Sequence, residues 1–112
     1  MTDIRNLTEE YVAAFDSRDL DTVASYFSDG FKLTDPDVTA LAPKANVLAY
    51  IKELFDSHDT LHFKARSILV DGNVSVIHFQ LTLGAVMFEG VDLITWQHNQ
   101  MISMTAYLNK KK

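Results

Sequence analysis

The chain contains no cysteine among its 112 residues. Without cysteine the protein can form no disulfide bond, no catalytic thiolate and no metal site with thiolate ligands. A chain built without disulfides fits a reducing compartment, so we expect the protein to be cytoplasmic. Residues 1–10 also lack the positively charged and apolar regions of a signal peptide, which agrees with that expectation.

Positive charge is scarce, because 10 lysines and arginines stand against 15 aspartates and glutamates, for a net charge of −5. Nucleic-acid binding requires a basic face that neutralises phosphates, so this balance disfavours a nucleic-acid partner. The one basic run, Lys110-Lys111-Lys112, falls in residues 109–112, which we expect to be a flexible tail. Long apolar runs are also missing. No stretch approaches the roughly 20 residues of a membrane span, so we expect no membrane partner.

What the chain does have is enough apolar surface for one core. Hydrophobic residues make up 47% of the sequence and aromatic residues 11%, which is typical of a folded protein. A chain of this length corresponds to a single domain and can bury roughly two-thirds of its unfolded surface. Because we find no internal repeat, low-complexity segment or linker, we treat residues 1–112 as one domain.

The first part of the chain has the apolar spacing of helices. Residues 3–16 are predicted to form one, with Thr2 as its N-cap. Asp19 is the predicted N-cap of a short second helix that includes Phe27 and ends at Gly30. The apolar stripe of the first helix consists of Ile4, Leu7, Tyr11, Ala14 and Phe15.

Alternating apolar residues predict strands, at first before Pro36 and then throughout the second half of the chain. Asp71-Gly72-Asn73 is a hairpin signal. The strand that follows it is predicted to bend or bulge at Gly84, and Glu89-Gly90 and His98-Asn99-Gln100 are predicted to turn. The predicted strands are residues 31–35, 61–70, 74–88, 91–97 and 101–108.

A third helix is predicted at residues 43–57, since Pro43 suits the first turn of a helix. The predicted order is therefore α-α-β-α-β-β-β-β, an α+β fold. Helices that lie on one face of a strongly curved, mixed but mostly antiparallel sheet would follow from this order. Such a cone-shaped arrangement encloses an apolar interior, which is a natural pocket for a small hydrophobic molecule.

Three polar residues lie where the patterns call for apolar ones. Tyr11 is on the inward stripe of the first helix, and Asp35 and Asp92 share strand faces with apolar residues because side chains two apart point the same way. An apolar site favours the protonated form of a carboxyl group. One carboxylate could then act as a base while a second acid donates a hydrogen bond, which suits proton abstraction next to a carbonyl. The strand neighbours on these faces are Phe31, Leu33, Ile94 and Trp96.

Seven segments of the chain resemble the nuclear transport factor 2-like superfamily, with its cystatin-like fold, and within it the SnoaL-like and ketosteroid isomerase-like group. The similarity extends over residues 3–108. The matching segments are Tyr11-Val12-Ala13-Ala14-Phe15, Asp19-Leu20-Asp21, Phe27-Ser28-Asp29, Asp35-Pro36, Val91-Asp92, Trp96 and Met101-Ile102-Ser103-Met104.

The resemblance implies a cofactor-independent isomerase or cyclase. It places the general base on Asp35 and the two donors to the oxyanion on Tyr11 and Asp92, an acid/base division for which ketosteroid isomerase is the known example. Two residues depart from the pattern, because Ile51 stands where the family has a supporting tyrosine and Asp37 adds a second acid after the base. A non-catalytic ligand-binding or dimerisation domain is the alternative, since this fold hosts many functions.

The remaining expectations concern ligands and partners. We expect no metal, because His58 and His62 lie on either side of a helix end and so do not share one face. A third possible function is that of a dehydratase, which would use His78 together with an aspartate. A homodimer is expected, since the open face of the sheet needs cover. The residues expected to line a ligand pocket are Phe27, Phe31, His78, Ile94, Trp96 and Met104.

Overall fold

The computed structural model describes residues 3–111 of the chain. The predicted order of elements is confirmed, while the bounds of the second helix and of the first, third and fourth strands differ from the predicted ones. Thr2 lies outside the described residues, and Asp3 is the N-cap of the first helix because its carboxylate accepts a hydrogen bond from the Arg5 backbone N–H. The elements are α1 (Ile4–Asp16), α2 (Leu20–Ser25), β1 (Phe27–Thr34), α3 (Lys44–Ser57), β2 (Leu61–Asp71), β3 (Val74–Leu83), β4 (Val86–Gln97) and β5 (Gln100–Lys110).

The five strands form one curved, unclosed sheet in the order β1-β5-β4-β3-β2. Strand β1 runs parallel to β5, and the other neighbouring pairs are antiparallel, so the predicted mixed sheet is confirmed. Helix α1 packs on β2 and β3, and α3 packs on β1. The helices therefore cover one face of the sheet, where alternate strand residues are buried. Strand β5 extends through Lys110, into the segment predicted as a tail. No helix within residues 3–111 is long and apolar enough to cross a membrane.

Three polar side chains in the core join α1 to the sheet. The hydroxyl groups of Thr8 and Ser75 are 2.9 Å apart and hydrogen-bonded, and the Trp96 indole N–H donates to the Ser75 hydroxyl, also at 2.9 Å. All three side chains are almost completely buried. A buried polar group without a partner is costly, so these bonds favour one position of α1 across β3 and β4.

The end of α3 is tied to the segment between α1 and α2. Arg18 lies there with a positive φ of 58°. Its guanidinium group donates hydrogen bonds to the backbone carbonyls of Phe55, His58 and Asp59. Carbonyls at the C-terminus of a helix lack partners within the helix, so a cation there stabilises α3 in its place.

Two predictions about the second helix were wrong. Helix α2 ends at Ser25, so Gly30 does not terminate it, and Phe27 is the first residue of β1. Strand β1 continues to Thr34 and shifts its register against β5 between Phe27 and Lys32. Gly30 falls in this irregular stretch, and glycine is common where a strand ladder is interrupted.

The region predicted as one strand over residues 74–88 is two strands. The chain turns at Gly84, whose φ is +61°, and Leu83 pairs with Val86 across a two-residue loop. Glu89 and Gly90 do not turn but lie inside β4, where Gly90 is paired with Leu108 of β5. Strands β4 and β5 approach closely at this point, which is why a residue without a Cβ stands there.

Gly90→Ala is expected to destabilise the protein. A methyl group at this position would overlap the Tyr107 carbonyl oxygen and lie 2.7 Å from the Leu108 Cα atom, so the strands would have to separate. We expect the free energy of unfolding in urea to fall by about 2 kcal/mol or more. Gly30→Ala is the control, because no atom of the described residues lies within 4 Å of a methyl group there. It should change stability by less than about 1 kcal/mol. Equal effects of the two substitutions would contradict the close approach of β4 and β5.

Candidate functional site

The sheet and the helices that cover it enclose a cavity, the inner chamber, with about 100 Å³ of free space. Two carboxyl groups, those of Asp35 and Asp92, line it. The structure therefore brings together the three polar residues singled out in the sequence, since Tyr11 lines the same chamber. The aromatic side chains that α1 and the sheet contribute to its wall are Tyr11, Phe15, Phe27, Phe31, Phe63 and Phe79.

Tyr11 and Asp92 are buried in the wall of the chamber, with 3% and 5% of their surfaces exposed. Helix α1 places Tyr11 one turn beyond Thr8, and β4 places Asp92 two residues before Ile94 on the inward face. Neither the Tyr11 hydroxyl nor the Asp92 carboxyl hydrogen-bonds to another of the described residues. Both groups are therefore available to a molecule that enters the chamber.

The apolar surroundings favour the protonated forms of both groups. Burial raises the pKa of Tyr11 well above its ordinary value, and the charge of Asp92 adds to the effect. Burial also raises the pKa of Asp92, from 3.8 to about 7, and the charge of Asp35 contributes in the same direction. An ionised group loses its hydration in such a wall, which is the main cause in both cases. Below about pH 7 both residues can donate a hydrogen bond into the chamber.

Asp35 differs from these two residues because three donors surround its carboxylate. It lies just after β1, where its Oδ1 atom accepts hydrogen bonds from the backbone N–H groups of Asp37 and Val38 at 2.8 and 2.9 Å. Its Oδ2 atom accepts a hydrogen bond from the Tyr50 hydroxyl at 2.8 Å. Asp35 thus closes a turn and lines the chamber at the same time.

A second cavity, the outer funnel, adjoins the inner chamber and has about 270 Å³ of free space. Asp35 and Tyr50 line both cavities, so they lie at the boundary between them. The Asp35 carboxylate therefore faces both the chamber and its approach. The residues that border the funnel alone are Pro36, Asp37, Leu83 and Phe88.

Tyr50 is a site residue that sequence reasoning missed. It lies on α3 next to Ile51. Ile51 occupies the position of the family's supporting tyrosine, so the sequence predicted a site without that tyrosine. Burial raises the pKa of Tyr50, and its hydrogen bond to Asp35 and the charges of Asp35 and Asp37 raise it further. The available signal was the helical spacing, since Tyr50 falls three residues after Val47 and four before Leu54, on the inward stripe of α3.

Of the residues expected to line a pocket, Phe27, Phe31 and Met104 line the inner chamber. Ile94 and Trp96 are buried on the same side of the sheet but are not part of the chamber wall. His78 points to the opposite face of the sheet, where its Nε2 atom lies 3.1 Å from a Glu89 carboxylate oxygen. Burial alternates along β3, so the positions flanking His78 face inward and His78 itself cannot reach the chamber.

The other histidines have local partners or are exposed. The Nδ1 atom of His58 lies 3.1 Å from the Leu54 carbonyl at the end of α3, and His62 is exposed on β2. Within residues 3–111 no three His, Asp or Glu side chains are grouped so that they could hold a metal ion. The polar side chains of the described residues that line the inner chamber are two carboxyl groups and two phenols.

Fold and site together define a class of small α+β proteins in which helices cover a curved sheet around a partly polar cavity. The sequence matches the model of the SnoaL-like domain family over residues 8–104. This chain therefore belongs to the SnoaL-like family, and the predicted family resemblance is confirmed. No curated protein matches its sequence.

Solved structures with the same fold carry several names. A SnoaL-like protein of unknown function from Burkholderia thailandensis is 21% identical, with a TM-score of 0.85 over 97% of this chain and 98% of that one. A candidate ketosteroid isomerase from Kribbella flavida is 18% identical, with a TM-score of 0.86 over 97% and 79%. An LEH-like epoxide hydrolase from M. tuberculosis is 15% identical, with a TM-score of 0.79 over 93% and 80%. At these identities the likeness shows the fold alone.

Asp92→Asn is expected to stabilise the protein above pH 7. The pKa of Asp92 is raised to about 7, so the folded chain keeps a proton that the unfolded chain releases near pH 4. The wild type therefore loses stability as the pH rises from about 4 to 7, by at most about 4 kcal/mol, and the amide variant does not. Urea unfolding of both proteins from pH 4.5 to 8.5 measures the difference. Asp29→Asn, at an exposed position, is the control. A difference between Asp92→Asn and the wild type that stays constant with pH would contradict a buried, protonated Asp92.

Proposed function

We propose that this protein catalyses cofactor-independent proton abstraction next to the carbonyl group of a small hydrophobic compound, a reaction of the isomerase or cyclase type. The observation that carries the proposal is one cavity with two different polar sides. On one side the Asp35 carboxyl group accepts hydrogen bonds from three protein donors, and on the other Tyr11 and Asp92 are buried acids without a partner among the described residues. Membership of the SnoaL-like family supports it.

In the proposed reaction the Asp35 carboxylate removes a proton from the carbon next to the carbonyl. The electron pair of the broken C–H bond forms a C=C double bond to the carbonyl carbon, and the π pair of the carbonyl moves onto its oxygen, which becomes an enolate oxygen. Tyr11 and protonated Asp92 donate hydrogen bonds to that oxygen, where the negative charge develops. Asp35 then returns the proton to carbon, at the original or at a conjugated position, so no cofactor or external reagent is consumed.

The size of the cavity limits the substrate. An apolar cavity of about 150 Å³ accommodates a benzene molecule, and the inner chamber is somewhat smaller. A single six-membered ring would fill the chamber and extend towards the outer funnel. We therefore propose a monocyclic or short-chain carbonyl compound as the substrate.

A specific observation favours the alternative function, a non-catalytic ligand-binding domain. All three hydrogen bonds to the Asp35 carboxylate come from the protein itself, from Tyr50 and from the turn after β1. To take a proton, the Oδ2 atom has to use its second lone pair or exchange its bond with Tyr50. In a pure binding domain Asp35 would do no more than shape the boundary between the chamber and the funnel.

We also propose that the protein forms a homodimer through the outer face of its sheet. The apolar side chains of Leu69, Val76 and Leu93 are neighbours across β2, β3 and β4 on this face. Leu69 and Tyr107 are more than 60% exposed, and Leu93 is 42% exposed. An open sheet face of this composition is stabilised by a second copy that covers it.

Exchange of carbon-bound protons tests the catalytic proposal. Wild-type protein in D₂O is expected to accelerate the loss of the proton NMR signals next to the carbonyl of 4-methylcyclohexanone. Asp35→Asn should slow this exchange by a factor of about 100 or more, because an amide is not a base. The wild-type rate should fall as the pH rises through about 7, since Asp92 then loses its proton, and Asp92→Asn should remove that fall.

The control for this experiment is ketone binding, measured by calorimetry in the same samples. Asparagine can still accept the two backbone hydrogen bonds of the turn, so Asp35→Asn should keep its fold and its affinity. Binding without accelerated exchange would contradict catalysis and support the alternative function. If neither binding nor exchange occurs, both functions are contradicted.

Leu93→Glu is expected to convert a dimer into a monomer. A carboxylate at the centre of a covered apolar face loses its hydration, so the association should weaken by at least a factor of 10. Analytical ultracentrifugation of the wild type and the variant measures the change. Ala45→Glu adds the same charge at an exposed position on α3 and should leave the dimer intact. A monomeric wild type, or a dimer insensitive to Leu93→Glu, would overturn this interface.

A further inference from the structure

Acidic side chains line the path from the outer funnel to the inner chamber, and no lysine, arginine or histidine of the described residues lies among them. Asp37 borders the funnel, Asp35 lies at the boundary and Asp92 lies in the chamber. None of the residues that line either cavity, within the described part of the chain, is a lysine, arginine or histidine. We propose that the site selects ligands by charge and takes a cyclic ketone that carries a protonated amine at the end remote from its carbonyl. This inference rests on the proposed function and names its substrate class.

The two buried acids without partners decide which end of the ligand enters first. Tyr11 and Asp92 are more than nine-tenths buried, line the chamber and have no hydrogen-bonding partner among the described residues. Both are proton donors below about pH 7, so they suit a carbonyl oxygen and not an ammonium group. The carbonyl therefore belongs in the inner chamber, and any charged group of the ligand remains in the funnel.

The funnel suits a positive charge. The carboxylates of Asp35 and Asp37 both border it, and no lysine, arginine or histidine within residues 3–111 forms an ion pair with either. Apolar walls from Leu83 and Phe88 lower the local dielectric constant and so strengthen the field of these charges. The aromatic faces of Tyr50 and Phe88 also attract a cation. An anion would meet two unneutralised carboxylates in the same space.

Asp37 is the residue that can confer this selectivity without taking part in the chemistry. Its backbone N–H closes the turn at Asp35, but its side chain is exposed and makes no hydrogen bond to the described residues. Its charge nevertheless reaches the site, because it contributes to the raised pKa of Tyr50. Asparagine at this position would keep the backbone contact and remove only the charge.

Three ketones of similar shape test the proposal by calorimetric titration at pH 6.5. They are 4-aminocyclohexanone, which is a cation, 4-methylcyclohexanone, which is neutral, and 4-oxocyclohexanecarboxylate, which is an anion. We expect affinities in that order, with at least a tenfold difference between cation and anion. The difference should shrink at high salt, because the funnel is open to solvent.

Two charge-neutralising variants show where the selectivity arises. Asp37→Asn should reduce the ratio of cation to anion affinity by a factor of about two to five, as expected for an exposed charge pair. Asp29→Asn changes the net charge equally but lies outside both cavities, so it should leave the ratio unchanged. Affinity for the neutral ketone should be the same in all three proteins.

Each outcome bears on the proposal. Equal or tighter binding of the anion, equal effects of the two variants or no binding of any ketone would overturn it. Ordered affinities without accelerated proton exchange would contradict catalysis and leave the charge selectivity standing. Accelerated exchange with no preference for the cation would support the proposed function and overturn this inference.

Discussion

The position of α1 across the curved sheet depends on one buried hydrogen-bonded link, from Trp96 through Ser75 to Thr8. A shift of the helix would break the hydrogen bond between Thr8 and Ser75 at a buried position, and the loss of a buried bond costs stability. Tyr11 lies one turn further along the same face of α1 and is thereby held over the cavity. The aromatic contacts of Tyr11 with Phe15 and Phe63 complete the packing around it.

The same apolar wall that stabilises the fold sets the chemistry of the site. Tyr11 and Asp92 lose their hydration there and have no donor or cation among residues 3–111 as a partner, so their neutral forms are favoured. Asp35 lies only a little further out, yet it is surrounded by donors from Tyr50 and from its own turn. The two carboxyl groups of one cavity therefore have different surroundings, since Asp35 accepts three hydrogen bonds and Asp92 accepts none from the described residues. A difference between two groups is what a base and an acid in a single site require.

Periodicity predicted most of the fold, and the errors cluster at glycines. Gly30, Gly84 and Gly90 were read as a helix end, a bend and a turn, but they lie at a strand irregularity, in a hairpin loop and at a close approach of two strands. Glycine fits all of these roles, and the neighbouring strands decide among them. His78 was misplaced for a related reason. Both faces of β3 carry apolar residues near His78, so the local sequence pattern did not show which face is inward.

The sequence by itself determined the order of the elements and the inward phase of Tyr11, Asp35 and Asp92, because the repeats of helix and strand are local properties of the chain. The tertiary structure alone decided that these residues share a chamber and that Tyr50 of α3 donates to Asp35, fifteen residues away. It also decided that, within residues 3–111, no lysine, arginine or histidine lines the chamber or the funnel. Contacts between elements depend on how the sheet curves and how the helices pack on it. The apolar periodicity of a single helix or strand contains no information about either the curvature or the packing.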